Sequence, residues 1–324
     1  MKFQYRNGEE ADLYTILESL GGGVGLLDYD QDGRLDIFLP GGGYFDVQGQ
    51  QVKGYPNRLY HNEGGGRFRD VTAEAGLDGP LFYSHGCAVG DYDNDGWPDL
   101  LVTGYGRVAL FHNHHGKFED VTEKAGLAGS RGPQWSTSAA WADLNGDGLP
   151  DLFVCQYVDW SLPRNVTCRP LGPGSEVDVC SPTVYEPLPQ IIYFNQGNGT
   201  FREAGPEAGL KKGKGLGVVV ADVDEDGRPD IYVANDTTDN FLYVNRSTRG
   251  RLRFEDRALE LGVARDDQGA PNGSMGVDAG DYDGSGNASL LVTNYQNELH
   301  ALYRNVGRPD GPSFVFNSRA AGLA

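Results

Sequence analysis

Apolar and polar positions along this chain fall into short runs whose order recurs five times. An apolar run, such as Val218–Ala221, leads into a cluster of Asp and Gly, and a second run rich in β-branched and aromatic residues follows, such as Ile231–Ala234. A third segment of the form LYxN comes next, then a fourth centred on a Phe that often precedes DVT. Gly, Asn and Asp separate these runs, and each is too short for a helix. The pattern therefore predicts strands of a few residues joined by tight turns, with at most a brief helical turn at TAEAG and TEKAG.

One half of the repeat reads LLDYDQDGRLDIFL from Leu26, VGDYDNDGWPDLLV from Val89, WADLNGDGLPDLFV from Trp141, VADVDEDGRPDIYV from Val220 and, in worn form, AGDYDGSGNASLLV from Ala279. The other half reads RLYHNEGGGRFRDVTAEAGL from Arg58 and recurs from Ala109, Ile191, Phe241 and Ala301. The two halves alternate strictly. Units of roughly 50–80 residues with four strands each predict propeller blades; a β-solenoid needs shorter rungs, and a sandwich does not repeat its sequence. The expected fold is an all-β propeller of four-stranded blades, with five repeats visible and five to seven blades, forming one domain over residues 1–324. The half-repeat at Ala301–Leu323 and the N-terminal half are expected either to share one blade around a ring or to belong to a longer array. A Pro- and Gly-rich insert at 158–190 interrupts the third repeat. Its prolines cannot donate ladder hydrogen bonds, so it is expected to be a loop and a recognition element, with Trp160 and Tyr185 offering contact area.

The Asp-rich segment follows DxDxDGxxD. Alternating carboxylates in a tight turn converge on one point, and a Gly at position six allows the sharp turn. A position-seven carbonyl and a position-nine carboxylate complete an oxygen cage of the kind Ca²⁺ takes. The candidate ligands are Asp28, Asp30, Asp32, Arg34 (through its carbonyl) and Asp36 in the first copy, and Asp91, Asp93, Asp95, Trp97 and Asp99 in the second. The third copy offers Asp143, Asn145, Asp147, Leu149 and Asp151, and the fourth Asp222, Asp224, Asp226, Arg228 and Asp230. The fifth keeps Asp281 and Asp283 but has Ser285, Asn287 and Ser289 further on, so a weak or empty site is expected there. The loop closes at position nine with no Glu at twelve and is flanked by strands, which excludes an EF-hand. Mg²⁺ fits less well, because it prefers few carboxylates and several waters. The cofactor expected is Ca²⁺, at four strong sites and a fifth weak one.

Charge takes its meaning from these loops. The formal net charge is −19, which argues against nucleic acid and anionic membrane surfaces as partners. Seventeen Asp lie in the five loops, and five bound divalent ions would bring −19 to −9. No apolar run approaches a membrane span, and the first twenty residues lack the apolar core of a signal peptide. Cys168 and Cys180 stand 12 apart inside the insert, as a disulfide or as two free thiols.

These blocks resemble the FG-GAP/VCBS repeat family, the propeller type also found in integrin α-subunits. The closer likeness is to the cartilage acidic protein and UnbV-like group. It rests on GDYDNDGWPDLLVTGY, the LYRN…F…AGL block, and CSPTVYEPLP before IIYFNQGNGTF. The resemblance implies a secreted or surface protein that binds calcium and adheres to protein or glycan partners, usually on a seven-bladed ring. The expected function is thus an extracytoplasmic binding scaffold with structural calcium; the alternative is a propeller hydrolase or lyase acting on carbohydrate at the ring centre.

No catalytic residues stand out: every tight Asp cluster belongs to a loop, and no GxSxG elbow or P-loop occurs. His112, His114 and His115 fall where other repeats have a turn, and read as a solvated turn rather than a ligand set. Asp239, Asn240, Trp135, Trp160 and Tyr185 are candidates for a ligand surface, against blade packing. Asn-x-Ser/Thr sequons occur at Asn165, Asn198, Asn235, Asn245, Asn272 and Asn287.

Overall fold

The computed structural model describes residues 2–46, 51–79, 82–129, 134–169, 176–249, 251–308 and 311–323. Each repeat forms one antiparallel four-stranded sheet in sequence order. The strands of the first blade are Gly25–Leu27, Asp36–Leu39, Arg58–Gly64 and Arg67–Asp70; those of the second are Ser84–Gly90, Asp99–Gly104, Val108–Asn113 and Phe118–Asp120. The third has Ser136–Ala142, Asp151–Gln156, Ile191–Asn195 and Phe201–Glu203, and the fourth Gly215–Ala221, Asp230–Asn235, Phe241–Asn245 and Phe254–Asp256. The fifth has Ser274–Gly280, Ser289–Asn294, Ala301–Asn305 and Phe314–Phe316. The all-β propeller-type architecture of four-stranded blades is therefore as the repeats predict. The terminal half-repeats do not share a blade. Gly25–Leu27 pairs with Asp36–Phe38 of its own repeat, and Ala301–Asn305 sits between Ser289–Asn294 and Phe314–Phe316. A short two-stranded ribbon, Gly43–Phe45 with Val52–Gly54, is an addition the repeats do not foretell.

The chain divides into two compact units. One is Met1–Thr137 with Val158–Glu186 and Gly197–Phe201; the other is Ser138–Tyr157, Pro187–Gln196 and Arg202–Ala324. Successive residues of a strand point to opposite faces, and in Asp99–Gly104, Asp151–Gln156 and Asp230–Asn235 both faces are covered, which is why those runs are largely apolar, whereas Leu26 and Leu291 in the first and fifth blades are exposed. In the second unit Val218 and Val220 pack with Phe153, Cys155 and Ile192, while Val219 and Ala221 pack with Leu290 and Val292. In the first unit Leu27, Phe38 and Leu59 share a core with Leu100, Val102 and Phe111.

The AGL and DVT motifs recur because they staple strands. Ala75 and Ala125 accept from the amides of Phe118 and Phe201 at 2.8 Å, so each turn holds the first residue of a fourth strand. Gly76 has φ +82°, and a Cβ there would lie 2.7 Å from the Phe118 carbonyl oxygen. Thr72 Oγ1 accepts from Leu59 N at 3.0 Å and donates to Asp70 at 2.6 Å. TAEAG and TEKAG each make the single turn expected, with Ala75 N–Val71 O at 2.8 Å and Ala125 N–Val121 O at 2.7 Å.

The insert is a stapled loop. Residues 170–175, with Pro170 and Pro173, lie outside the described residues. Cys168 and Cys180 form a disulfide with Cα atoms 5.1 Å apart. Trp160 is 1 % exposed and Tyr185 8 %, so neither offers contact area to a partner, which corrects that expectation. Trp160 instead packs edge-on against Tyr105 and at a tilt against Trp135, with ring centroids at 5.3 and 5.8 Å. Its indole N–H donates to Asn165 Oδ1 at 3.0 Å. Trp135 is 1 % exposed and donates to His85 Nε2 at 2.9 Å. Asp239 is taken by a two-bond ion pair with Arg265 at 2.7 and 3.0 Å, and Asn240 is buried on Asn235 and Ser274. Blade packing therefore accounts for the aromatic candidates.

Candidate metal centres

Each Asp-rich loop joins the first and second strands of its blade, and the side chains fall into three roles. Position one is a backbone cradle. Asp28 accepts from Asp32 N and Gly33 N at 3.0 and 2.9 Å, Asp91 from Asp95 N and Gly96 N at 3.0 and 2.8 Å. Asp143 and Asp222 repeat this with 147/148 and 226/227 at 2.8–3.1 Å, and even Asp281 holds Ser285 N and Gly286 N at 2.9 and 2.8 Å. The cradle forces a left-handed sixth residue: Gly33 has φ +87° and Gly96 +91°. Position five then accepts from the amide of position seven, as Asp32 from Arg34 N and Asp147 from Leu149 N, both at 3.0 Å. Asp95 and Asp226 do the same for Trp97 and Arg228 at 2.8 and 3.0 Å, and Ser285 for Asn287 at 3.3 Å. Position five also meets the side chain of Arg34 or Arg228 in those two loops.

Position nine is a buried staple. Asp36, Asp99 and Asp151 are 0 % exposed and Asp230 1 %. One oxygen of each accepts from the amide of position two, and the other from the Asn of LYxN: for Asp230, Val223 N at 3.0 Å and Asn245 N at 2.7 Å. Ser289 keeps only the second bond, from Asn305 N at 3.1 Å. Burial pushes these carboxyls up, to about 6 for Asp99 and about 7 for Asp151 and Asp230, and Asp36 in the same direction.

Position three is left over. Asp30 Oδ1, Asn145 Oδ1 and Asp224 Oδ1 are buried oxygens without a hydrogen-bond partner, in three different loops at the same position. Burial raises the carboxyls of Asp93 and Asp224 as well, with neighbouring Asp95 and Asp226 adding to the effect. Buried acceptors without donors are costly, and a hard cation is the partner such oxygens fit. Asp28, Asp30 and Asp32 bring their oxygens within 4.8 Å of one another, as do Asp91, Asp93 and Asp99, and Asp222, Asp224 and Asp226.

The loops differ in what lies over them, through the residue before the LYxN Asn. In the first two blades it is His61 and His112; in the third and fourth Phe194 and Val244; in the fifth Arg304. His61 Nδ1 lies 3.2 Å from Asp36 and 3.4 Å from Asp30. His112 Nδ1 lies 3.0 Å from Asp99 and 3.6 Å from Asp93. His112 is only 8 % exposed, so it is not part of a solvated turn as its sequence context suggests; His114 and His115 are exposed. Arg304 Nε donates to Asp283 at 2.5 Å, placing a built-in cation at the fifth loop. The Asp283 carboxyl is held down by Ser285 first and then by Arg304. Arg246 reaches Asp224 and Asp226 at 3.3 Å in the fourth.

The LYxN Asn was not singled out in the sequence as a functional residue. Asn245 Nδ2 donates to Pro229 O at 2.9 Å in its own loop and to Leu144 O at 3.0 Å in the preceding one. Asn113 does likewise with Pro98 and Tyr29 at 3.0 and 2.9 Å. Its recurrence in all five repeats was the available signal.

Over 184 residues the chain is 28 % identical to mouse cartilage acidic protein 1 and 27 % to the human one. Those matches take in 56 % of this chain but 25 % and 24 % of the relatives, so the likeness spans about a quarter of their length. Among solved structures, an Agrocybe aegerita lectin recognising non-reducing terminal N-acetylglucosamine aligns at TM-score 0.38 and 14 % identity, over 90 % of this chain and 78 % of the lectin. The V. cholerae biofilm matrix protein Bap1 aligns at 0.36 and 12 %, over 90 % and 70 %. FG-GAP-like repeats match at residues 28–102, 91–154, 187–233 and 223–292. The chain belongs to the FG-GAP-like repeat family and is related to cartilage acidic protein 1.

Proposed function

We propose that this chain is a calcium-binding extracytoplasmic scaffold that presents blade surfaces to protein or glycan partners, with the ions structural. The observation that carries the metal reading is the buried, partnerless oxygen at position three in the first, third and fourth loops. Each loop ties two strands of its blade, so an ion bound only by the folded state stabilises it by RT ln(1 + [L]/Kd). Calcium suits the all-oxygen donor sets of the third and fourth loops best. The fifth loop, with Ser at positions five and nine and Arg304 on Asp283, is the weak member. The Cys168–Cys180 bridge suits an oxidising compartment. No helix among the described residues is long and apolar enough to cross a membrane.

A binding scaffold rather than a hydrolase is favoured because the loop carboxylates are committed to backbone amides and to the ion position. Calcium titration of chelator-stripped protein with elemental analysis tests the metal. The reading expects ions at the third and fourth loops and a rise in melting temperature; no uptake at millimolar calcium refutes it. Steady turnover of a glycan panel, lost on changing an acid outside the loops, would establish the hydrolase instead.

A further inference from the structure

We infer that the first loop is a mixed imidazole–carboxylate centre that holds a borderline divalent transition ion in preference to calcium. This rests on the reading of the loops as cation sites and divides them into two classes.

His61 and His112 come from the third strand of their blades and reach back over the loop between strands one and two. Two donors that share an ion at about 2.0–2.2 Å, and subtend roughly 90–110° at it, stand about 2.8–3.6 Å apart. His61 Nδ1 meets Asp36 and Asp30 at 3.2 and 3.4 Å, whereas His112 Nδ1 is already hydrogen-bonded to Asp99 Oδ1 at 3.0 Å. The donor atoms of Asp30, Asp36 and His61 lie within 4.8 Å of one another, as do those of Asp93, Asp95 and His112.

A second observation separates the first loop from a hydrogen-bonded turn. His61 Nδ1 and Asp30 Oδ1 are both fully buried atoms, and neither has a hydrogen-bond partner. The nitrogen and the carboxylates are within reach of one another without hydrogen-bond geometry between them, an arrangement suited to an atom lying between. Asp36 and Asp99 are each held by two backbone amides, which fixes the ligand oxygen as an outer shell does in metal sites.

Imidazole nitrogen is a donor for Zn²⁺, Ni²⁺ and Co²⁺, whereas Ca²⁺ takes oxygen. The third and fourth loops have Phe194 and Val244 at the equivalent position and offer no nitrogen. They serve as the oxygen-only controls within the same chain.

The probe is Co²⁺. Chelator-stripped protein is loaded with Co²⁺, washed in excess millimolar Ca²⁺, and analysed for both metals. The expected result is one Co²⁺ per chain retained against calcium, lost in His61→Gln and kept in His112→Gln, with the Ca²⁺ of the third and fourth loops unchanged. Wild-type protein should also show a hyperfine-shifted imidazole N–H proton resonance from one ligand, a readout that needs no variant to fold. Complete displacement of Co²⁺ by Ca²⁺, or an unchanged Co²⁺ count in folded His61→Gln, overturns the inference while leaving calcium in place. Retained Co²⁺ with no calcium at the third and fourth loops upholds it and overturns the calcium reading instead.

Discussion

Asp224 and Asn245 meet at the same Asp-rich loop, but the structure gives them separable energetic roles. Asn245 is 0 % exposed and its side chain makes three hydrogen bonds: to Leu144 O, to Pro229 O, and from Ser247 N at 2.8 Å. Asn245→Ala leaves two buried carbonyls and an amide unpartnered. At about 1 kcal/mol or more for each, the loss is about 3–5 kcal/mol, with or without calcium. Asp224 has a buried oxygen with no partner, and its carboxyl is pushed up by burial and by Asp226. Without an ion its charge is a burden, and Arg246 keeps Asp226 as a partner at 3.3 Å when it is gone. Asp224→Ala should therefore leave the chelated protein within about 1 kcal/mol of wild type. At calcium 100-fold above Kd, it forfeits the linkage term of about 2.7 kcal/mol. Chemical denaturation in EGTA and in calcium reads both. An Asp224→Ala deficit that is the same in the two buffers would refute the assignment of position three to the ion. An Asn245→Ala deficit that vanishes in EGTA would refute the assignment of Asn245 to the fold.

His85 is 3 % exposed, accepts from Trp135 Nε1, and is driven down to about 3 by burial. Its folded value lies below the unfolded one, so the folded state binds fewer protons and stability falls on acidification. Relative to His85→Gln, wild type should lose about 3 kcal/mol between pH 7 and pH 4. A stability difference independent of pH, followed by denaturation across that range, contradicts it. Replacing both Cys168 and Cys180 by Ser should cost about 2–4 kcal/mol for a closed loop of this length. Because Trp160 is buried and belongs to the same insert as that bridge, its fluorescence should shift to the red at lower denaturant than the rest of the protein; coincident transitions before and after the replacement refute this.

The blades were legible because their signals are local. Strand runs, the Asp-rich turn and the LYxN segment each repeat, and repetition raises weak propensities to a secure assignment. Register came with them: Ile231, Tyr232 and Val233 pair with Tyr243, Leu242 and Phe241 because strands two and three are joined within one repeat. The Gly43–Phe45 ribbon and the burial of Trp160 were not legible. Each depends on which distant segment covers it: Trp160 meets Tyr105 and Trp135 across 55 and 25 positions of chain. No local periodicity records such a meeting.

The loops show the same division on a smaller scale. DxDxDGxxD announces a cluster of oxygens, but it makes all four carboxylates look equivalent. Position nine is distinguished by accepting from Asn245 N or Asn113 N, fifteen and fourteen residues away, and position three by keeping one buried oxygen with nothing to accept from in the first, third and fourth loops. The residue before the LYxN Asn is harder still. Its side chain varies as His, Phe, Val and Arg across the repeats, so the sequence presents it as an unconstrained position. Only once the third strand is laid beside the second does that position fall over the Asp loop. The variation is then a change of chemistry above a constant loop: a nitrogen donor at His61 and His112, apolar cover at Phe194 and Val244, and a fixed positive charge at Arg304. On the proposed reading, the family motif supplies the oxygens of a cation site, and the variable neighbour across the strand sets which cation each copy suits.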